Sequence, residues 1–198
     1  MHAWDSITDP NEILPKHLYL SNARTASCKD TLKKYNIKYI VNTATEIPNY
    51  HKDDNTFVYL NLHLEDDENE SLNSHFDKVC ALIQKAKEEN VGVLVHCQAG
   101  ISRSSSFVIV YLMRHNNMNL KKAYLHTLEK RSQISPNQGF WKQLCIIDKS
   151  LYGVESFQLK DYHVQYLIDM GFSRDKVEKA LKTSQGNVNL ALNALLSG

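Results

Sequence analysis

His96-Cys97-Gln98-Ala99-Gly100-Ile101-Ser102-Arg103-Ser104 is the stretch on which the reading of this chain turns. Before it, Val91-Gly92-Val93-Leu94-Val95 is short and apolar, the pattern of a buried strand. After it, residues 104–115 form a longer apolar-rich run that predicts a buried helix. A strand, a tight turn at Gly100 and a helix together aim backbone N–H groups at a phosphate. A cysteine and an arginine bracket that turn.

Phosphate esters are anionic, so attack on one needs a strong nucleophile and a cradle for charge. Cys97 serves as nucleophile only as a thiolate. A free thiol titrates near ~8.5, and a helix N-terminus with nearby cations lowers that to roughly 3.5–7.5. Arg103 has a planar fork that fits two phosphate oxygens, which a lysine cannot do. Gly100 lets the backbone turn tightly enough for its neighbours' amides to face inward. Gln98, Ala99, Gly100, Ile101, Ser102 and Arg103 are therefore the expected phosphate-binding residues. Ser104 is placed to donate a hydrogen bond to the Cys97 sulfur, and His96 to orient the cysteine. The departing oxygen also needs a proton, and the turn holds no acid. The acidic run Glu65-Asp66-Asp67-Glu68-Asn69-Glu70 supplies Asp66 or Asp67 for that role. The expected cycle is covalent, through a cysteinyl-phosphate.

Working outward, strand-like runs fall at 18–20, 39–41 and 57–60, with a helical stretch at 32–35 between the first two. Apolar residues at Phe76, Val79, Cys80, Ile83 and Ala86 share one helical face. Two more helices are predicted near 120–130 and 138–150, with Asn137 shaping a turn beside Pro136. Strands and helices in this order indicate an α/β layer fold. From residue 159 no strand pattern remains. Three short helical faces follow, separated by turns at 170–173 and 185–187. Ser173 and Asn187 are expected N-caps, and Gly171 and Gly186 expected C-cap glycines. The expected organisation is a first domain over 1–152, a linker over 153–158 and a three-helix bundle over 159–198, able to be removed without loss of the first.

The chain has 198 residues and a net charge of +1, with 42% hydrophobic residues, enough for a real core and against disorder. No basic surface with interleaved aromatics points to nucleic acid. No apolar run is long enough to span a bilayer, and residues 1–5 lack a secretory leader pattern. Cys28, Cys80, Cys97 and Cys145 show neither metal nor disulfide spacing. They fit a reducing compartment, the cytoplasm with the nucleus included. No cofactor or metal is expected.

The segment 96–104 closely resembles the active-site signature of the cysteine-dependent dual-specificity protein phosphatases. The resemblance runs through most of 10–150: Ile13-Leu14-Pro15-Lys16-His17-Leu18-Tyr19-Leu20-Ser21 looks like that family's opening segment. Arg131-Ser132-Gln133-Ile134-Ser135-Pro136-Asn137-Gln138-Gly139-Phe140 looks like the one after its active-site helices. The resemblance implies a central mixed sheet flanked by helices. It also implies metal-free hydrolysis of phosphotyrosine and phosphoserine or phosphothreonine, with a general acid about 30 residues before the cysteine. Asp66 stands 31 residues before Cys97 and is the choice, with Asp67 the neighbouring alternative. The tail, with Met170-Gly171-Phe172 and the last helix ending at Leu196, looks like a ubiquitin-associated domain. That implies binding of ubiquitin or another protein through Met170, Gly171, Phe172 and Leu196. Two other readings stay open: a phosphatase of phosphoinositides or other non-protein substrates, and a non-catalytic phosphoprotein-binding adaptor. The uncharged Gln98, Ala99, Ile101 and Ser102 argue for a single phosphoryl group and against the first.

Overall fold

The computed structural model describes residues 9–184 and 186–197. The N-terminal stretch read for a leader, Gln185 in the second tail turn and Gly198 lie outside them. In chain order the elements are strands β1 (Asn11–Leu14) and β2 (Leu18–Ser21), helices α1 (Ala23–Ser27) and α2 (Lys29–Lys34), and strands β3 (Ile37–Ala44) and β4 (Val58–Leu64). Helix α3 (Phe76–Glu88), strand β5 (Gly92–His96), and helices α4 (Arg103–His115), α5 (Leu120–Lys130) and α6 (Gln138–Tyr152) follow. Helices α7 (Leu159–Asp169), α8 (Arg174–Thr183) and α9 (Val188–Ser197) complete the chain.

The five strands form one mixed sheet in the order β1-β2-β5-β3-β4. β1 pairs antiparallel with β2, and the remaining pairs are parallel. β5 lies at the centre and is buried along its whole length, as its unbroken apolar run requires of an interior parallel strand. The period-2 alternation of side chains divides the sheet between two cores. Leu18, Leu20, Tyr39, Val41, Val93 and Val95 face the larger one, filled by α3 to α6. Tyr19, Ile40 and Leu94 face the smaller one with Leu32 of α2 and Phe57. Helix α4 is buried from Arg103 to Met113, which explains an apolar run without a polar face. The sequence misses β1 and α1. With four and five residues they are too short to show a period. Pairing to β2 makes the first, and Asn22 capping Thr25 at 2.9 Å starts the second.

Helices α7 to α9 enclose their own small core of Leu167, Val177, Leu181, Val188 and Ala191. Gly171 and Gly186 adopt the left-handed conformation expected of them, at φ +98° and +84°. Within residues 153–158, read from sequence as a linker, Ser156 and Phe157 are held against the rest of the chain while residues 153–155 are exposed. Phe157 is buried in the larger core. The Ser156 amide donates to buried Asp148 of α6 at 2.5 Å, and the same carboxylate accepts from the Leu120 amide at 2.8 Å. Tyr162 of α7 also enters the larger core, stacked on Trp141 of α6 with ring centroids 4.0 Å apart and planes within 10°. No helix among the described residues is long and apolar enough to cross a membrane.

Candidate active site

The loop from Cys97 to Ser102 joins the end of β5 to the start of α4. Its carbonyls are all tied outward. Cys97 O accepts from His96 Nδ1 at 3.3 Å and Gln98 O from the Ala23 amide at 3.0 Å. Ala99 O and Gly100 O accept from the Arg131 guanidinium, through Nη2 at 2.9 Å and Nε at 2.7 Å. Ile101 O accepts from the Ser135 amide at 3.0 Å. In a planar trans peptide the N–H points opposite the preceding C=O. The amides of residues 98 to 102 therefore face inward, in the anion-binding arrangement that the start of α4 reinforces with its dipole. Gly100 has φ +70°, and a Cβ there would collide with the Ser21 carbonyl oxygen. No other residue fits.

Cys97 is buried at the base of this loop. Its sulfur accepts hydrogen bonds from the Gly100 amide at 3.2 Å and from Ser104 Oγ at 3.3 Å. His96 is fully buried, and burial lowers its pKa to about 4, so its imidazole is neutral near pH 7. Its contact with the Cys97 carbonyl makes Nδ1 the protonated nitrogen, since a carbonyl only accepts.

Arg103 reaches back from α4 with 4% of its surface exposed. Its terminal nitrogens grip the Glu46 carboxylate at 2.6 and 2.7 Å, and Nη1 also donates to Leu64 O at 2.9 Å. Burial alone would push its charge off, but Glu46, with Cys97 and Asp66 nearby, outweighs burial and raises the pKa. The same pair lowers that of Glu46. Arg103 Nε is buried with no hydrogen-bond partner among the described residues. A buried orphan donor is costly unless something completes it, and an anion in the cradle would do so.

The acidic run separates its two aspartates. Asp67 Oδ1 accepts from the amide and side chain of Asn69 at 2.8 and 3.0 Å, a local turn. Asp66 instead lines a cavity of about 770 Å³ together with Cys97, Arg103, Arg24 and Tyr50. Its Oδ1 accepts from Ser102 Oγ at 2.7 Å and from Asn137 Nδ2 at 2.9 Å, and Oδ2 lies 3.8 Å from Arg103 Nε. Helix α6 holds this run in place. Gln143 accepts from the Leu72 amide at 2.9 Å and donates to Glu70 O at 2.8 Å. A Cβ on Gly139 would collide with the Glu68 carbonyl oxygen, so only glycine lets the run sit against the helix.

Cys97, Arg103, Asp66, Ser104, His96 and the loop residues 98–102 thus come together. Met170, Gly171, Phe172 and Leu196 do not line this cavity. Met170 and Leu196 are exposed on the tail at 47% and 69%, while Phe172 packs against the tail core. Sequence reasoning missed Glu46, Arg131 and Gly139, and saw Asn137 only as a turn former. Each acts through contacts more than 30 positions away, which no local pattern carries. Asn137 caps α6 through the Phe140 amide at 2.9 Å as well as holding Asp66.

A family model described as the dual specificity phosphatase catalytic domain matches residues 18–150. One for the UBA/TS-N domain matches residues 163–195. Human dual specificity protein phosphatase 7 is 39% identical over 142 residues, covering 72% of this chain. The chain spans about a third of that relative's length, 34%. Dual specificity protein phosphatase 1 of Arabidopsis thaliana is 38% identical over 145 residues, covering 73% of this chain and 72% of the relative. Among solved structures, human DUSP28 superposes with a TM-score of 0.68 at 29% identity, covering 73% of this chain and 95% of that one.

The Gly139 contact generates a test. Gly139→Ala forces the Glu68 carbonyl, and Asp66 with it, out of place. Misplacement by about an ångström costs up to ~10²-fold. Turnover of an aryl phosphate by this variant is expected to fall by roughly 10- to 100-fold while the loop still binds inorganic phosphate. Unchanged turnover would show that the α6 clamp does not set the position of Asp66.

Proposed function

The chain belongs to the dual specificity phosphatase family, with a UBA domain at its C-terminal end, and on that basis we propose that it hydrolyses phosphotyrosine and phosphoserine or phosphothreonine in proteins through a cysteinyl-phosphate. One observation carries the reading. The Cys97 sulfur, bonded by Gly100 and Ser104, sits below a ring of inward amides in the cavity that Asp66 also lines.

In the first step the Cys97 thiolate attacks phosphorus. The P–O bond to the substrate oxygen breaks, and Asp66 gives that oxygen its proton. The inward amides and Arg103 stabilise charge on the transferred phosphoryl oxygens. For that, Arg103 turns its fork from Glu46 to the phosphate. In the second step a water attacks phosphorus, Asp66 takes its proton, and the P–S bond breaks. Sulfur then leaves as a thiolate stabilised by the Ser104 hydroxyl and the Gly100 amide. The scheme uses no metal. The uncharged interior of the loop supports a single phosphoryl group as substrate, against a polyphosphorylated lipid headgroup.

For the tail, the reading is capture of ubiquitin or another protein through Met170, Gly171, Phe172 and Leu196, supported by the exposed Met170 and Leu196 side chains. A cytoplasmic location, the nucleus included, is supported by four free cysteines.

Two experiments test these assignments. With a chromogenic aryl phosphate and excess chelator, wild-type turnover should persist and Cys97→Ser should abolish it. Asp66→Ala should lower turnover by about 10²–10⁴-fold, with Asp67→Ala near wild type. A loss confined to Asp67→Ala would move the acid by one residue, and a need for added metal would end the thiolate mechanism. Separately, titration of ubiquitin into labelled full-length protein should give binding that Met170→Ala with Leu196→Ala removes. Binding that survives the double substitution would place the ubiquitin surface elsewhere.

A further inference from the structure

Tyr162 belongs to the C-terminal helical unit, yet its ring and hydroxyl are spent on the other side of the junction. The ring is 3% exposed, stacked on Trp141 and set edge-on to Tyr124 at 5.7 Å and 90°. The hydroxyl donates to Pro136 O at 2.9 Å. A phenol has one hydrogen, so the 2.9 Å contact with Ser135 Oγ is a bond that the serine donates. Both acceptor and donor belong to the segment 135–137. That segment reaches the candidate site at three points. The Ser135 amide holds Ile101 O of the phosphate loop at 3.0 Å. The Asn137 amide donates to Ser102 Oγ at 3.0 Å, and Asn137 Nδ2 to Asp66 Oδ1 at 2.9 Å. Ser102 Oγ passes its own hydrogen to the same Asp66 oxygen at 2.7 Å.

We propose that Tyr162 is a positioning residue for Asp66, so that the C-terminal helical unit is a working part of the catalytic site rather than only a tethered targeting module. The proposal rests on the phosphatase reading above, in which Asp66 is the acid. Asp66 is on a loop, and both hydrogen bonds to its Oδ1 come from groups anchored on 135–137. Without the Tyr162 bonds and stack, that segment loses the partner that fixes it from behind. The acid then samples positions from which it no longer reaches the leaving oxygen.

Leaving-group dependence in the full-length protein tests this. An acid matters most when the leaving oxygen is basic, and little when an acidic phenol departs unaided. Tyr162→Phe keeps the stack and loses the hydroxyl bonds. Its kcat/KM on phenyl phosphate, which reports the step that expels the phenol, should fall about fivefold, the factor one hydrogen bond carries. Tyr162→Ala should lower it by roughly 10- to 100-fold. On an aryl phosphate with a strongly acidic phenol, kcat/KM of both variants should stay close to wild type. In an Asp66→Ala background, Tyr162→Phe should cause no further loss on either substrate. Equal losses on the two substrates, no loss on phenyl phosphate, or an undiminished loss in the Asp66→Ala background would each overturn the proposal. Tyr162→Phe decides the matter if Tyr162→Ala does not fold. Failure of the phosphatase reading looks different: wild-type protein would then hydrolyse neither substrate, or Cys97→Ser would hydrolyse both.

Discussion

A loop that turns its amides inward must send its carbonyls outward, and each of those carbonyls then needs a donor. Arg131, at the C-terminal end of α5, meets two of those five demands. One buried guanidinium serves Ala99 O and Gly100 O and anchors itself on Asn11 Oδ1 at 2.7 Å. Burying a cation is unfavourable unless its hydrogen bonds are satisfied. Here burial lowers the pKa to about 10, which leaves the group charged at neutral pH. The loop and the arginine therefore depend on each other. The rest of the cradle follows: Gly100 at a positive φ close against Ser21, Cys97 beneath, and Ser104 in the first turn of α4.

The second half of the site is assembled from further away. Asp66 comes from the loop after β4, and α6 holds it through Asn137, Gly139 and Gln143. α6 carries on its next turn the Trp141 ring on which Tyr162 stacks. One helix thus touches Asp66 at its start and the C-terminal unit along its side. Asp148, further along α6, fastens the connecting segment through Ser156. The result joins catalytic unit and tail through a dry aromatic cluster of Tyr124, Trp141, Phe157 and Tyr162.

Much of this is legible in the sequence because it is local. The buried strand, the glycine turn and the helix behind Cys97 lie in one continuous stretch, so periodicity and residue type locate them. Spacing and resemblance brought Asp66 forward, and the Asx turn that occupies Asp67 separates the two aspartates in space. The long-range parts are not legible. Glu46 carries no sign that it will take the Arg103 fork, and a glycine at the first turn of α6 looks like an indifferent helix residue until Glu68 is seen against it. Phe157 and Tyr162 sit among polar neighbours, so the segment reads as a linker and a surface helix. Only the tertiary arrangement shows that both close the larger core.

The central claim is that phosphate passes through the Cys97 sulfur. Acid quenching of the full-length protein during turnover of an aryl phosphate, followed by peptide mass spectrometry, addresses it directly. With a strongly acidic phenol as leaving group, whose departure needs no acid, the Asp66→Asn variant is slow only in activating water and should accumulate one phosphoryl group on the peptide containing Cys97. That group should be absent when Cys97 is serine. Steady turnover with no phosphorylated Cys97, or with the group on another residue, would contradict the account.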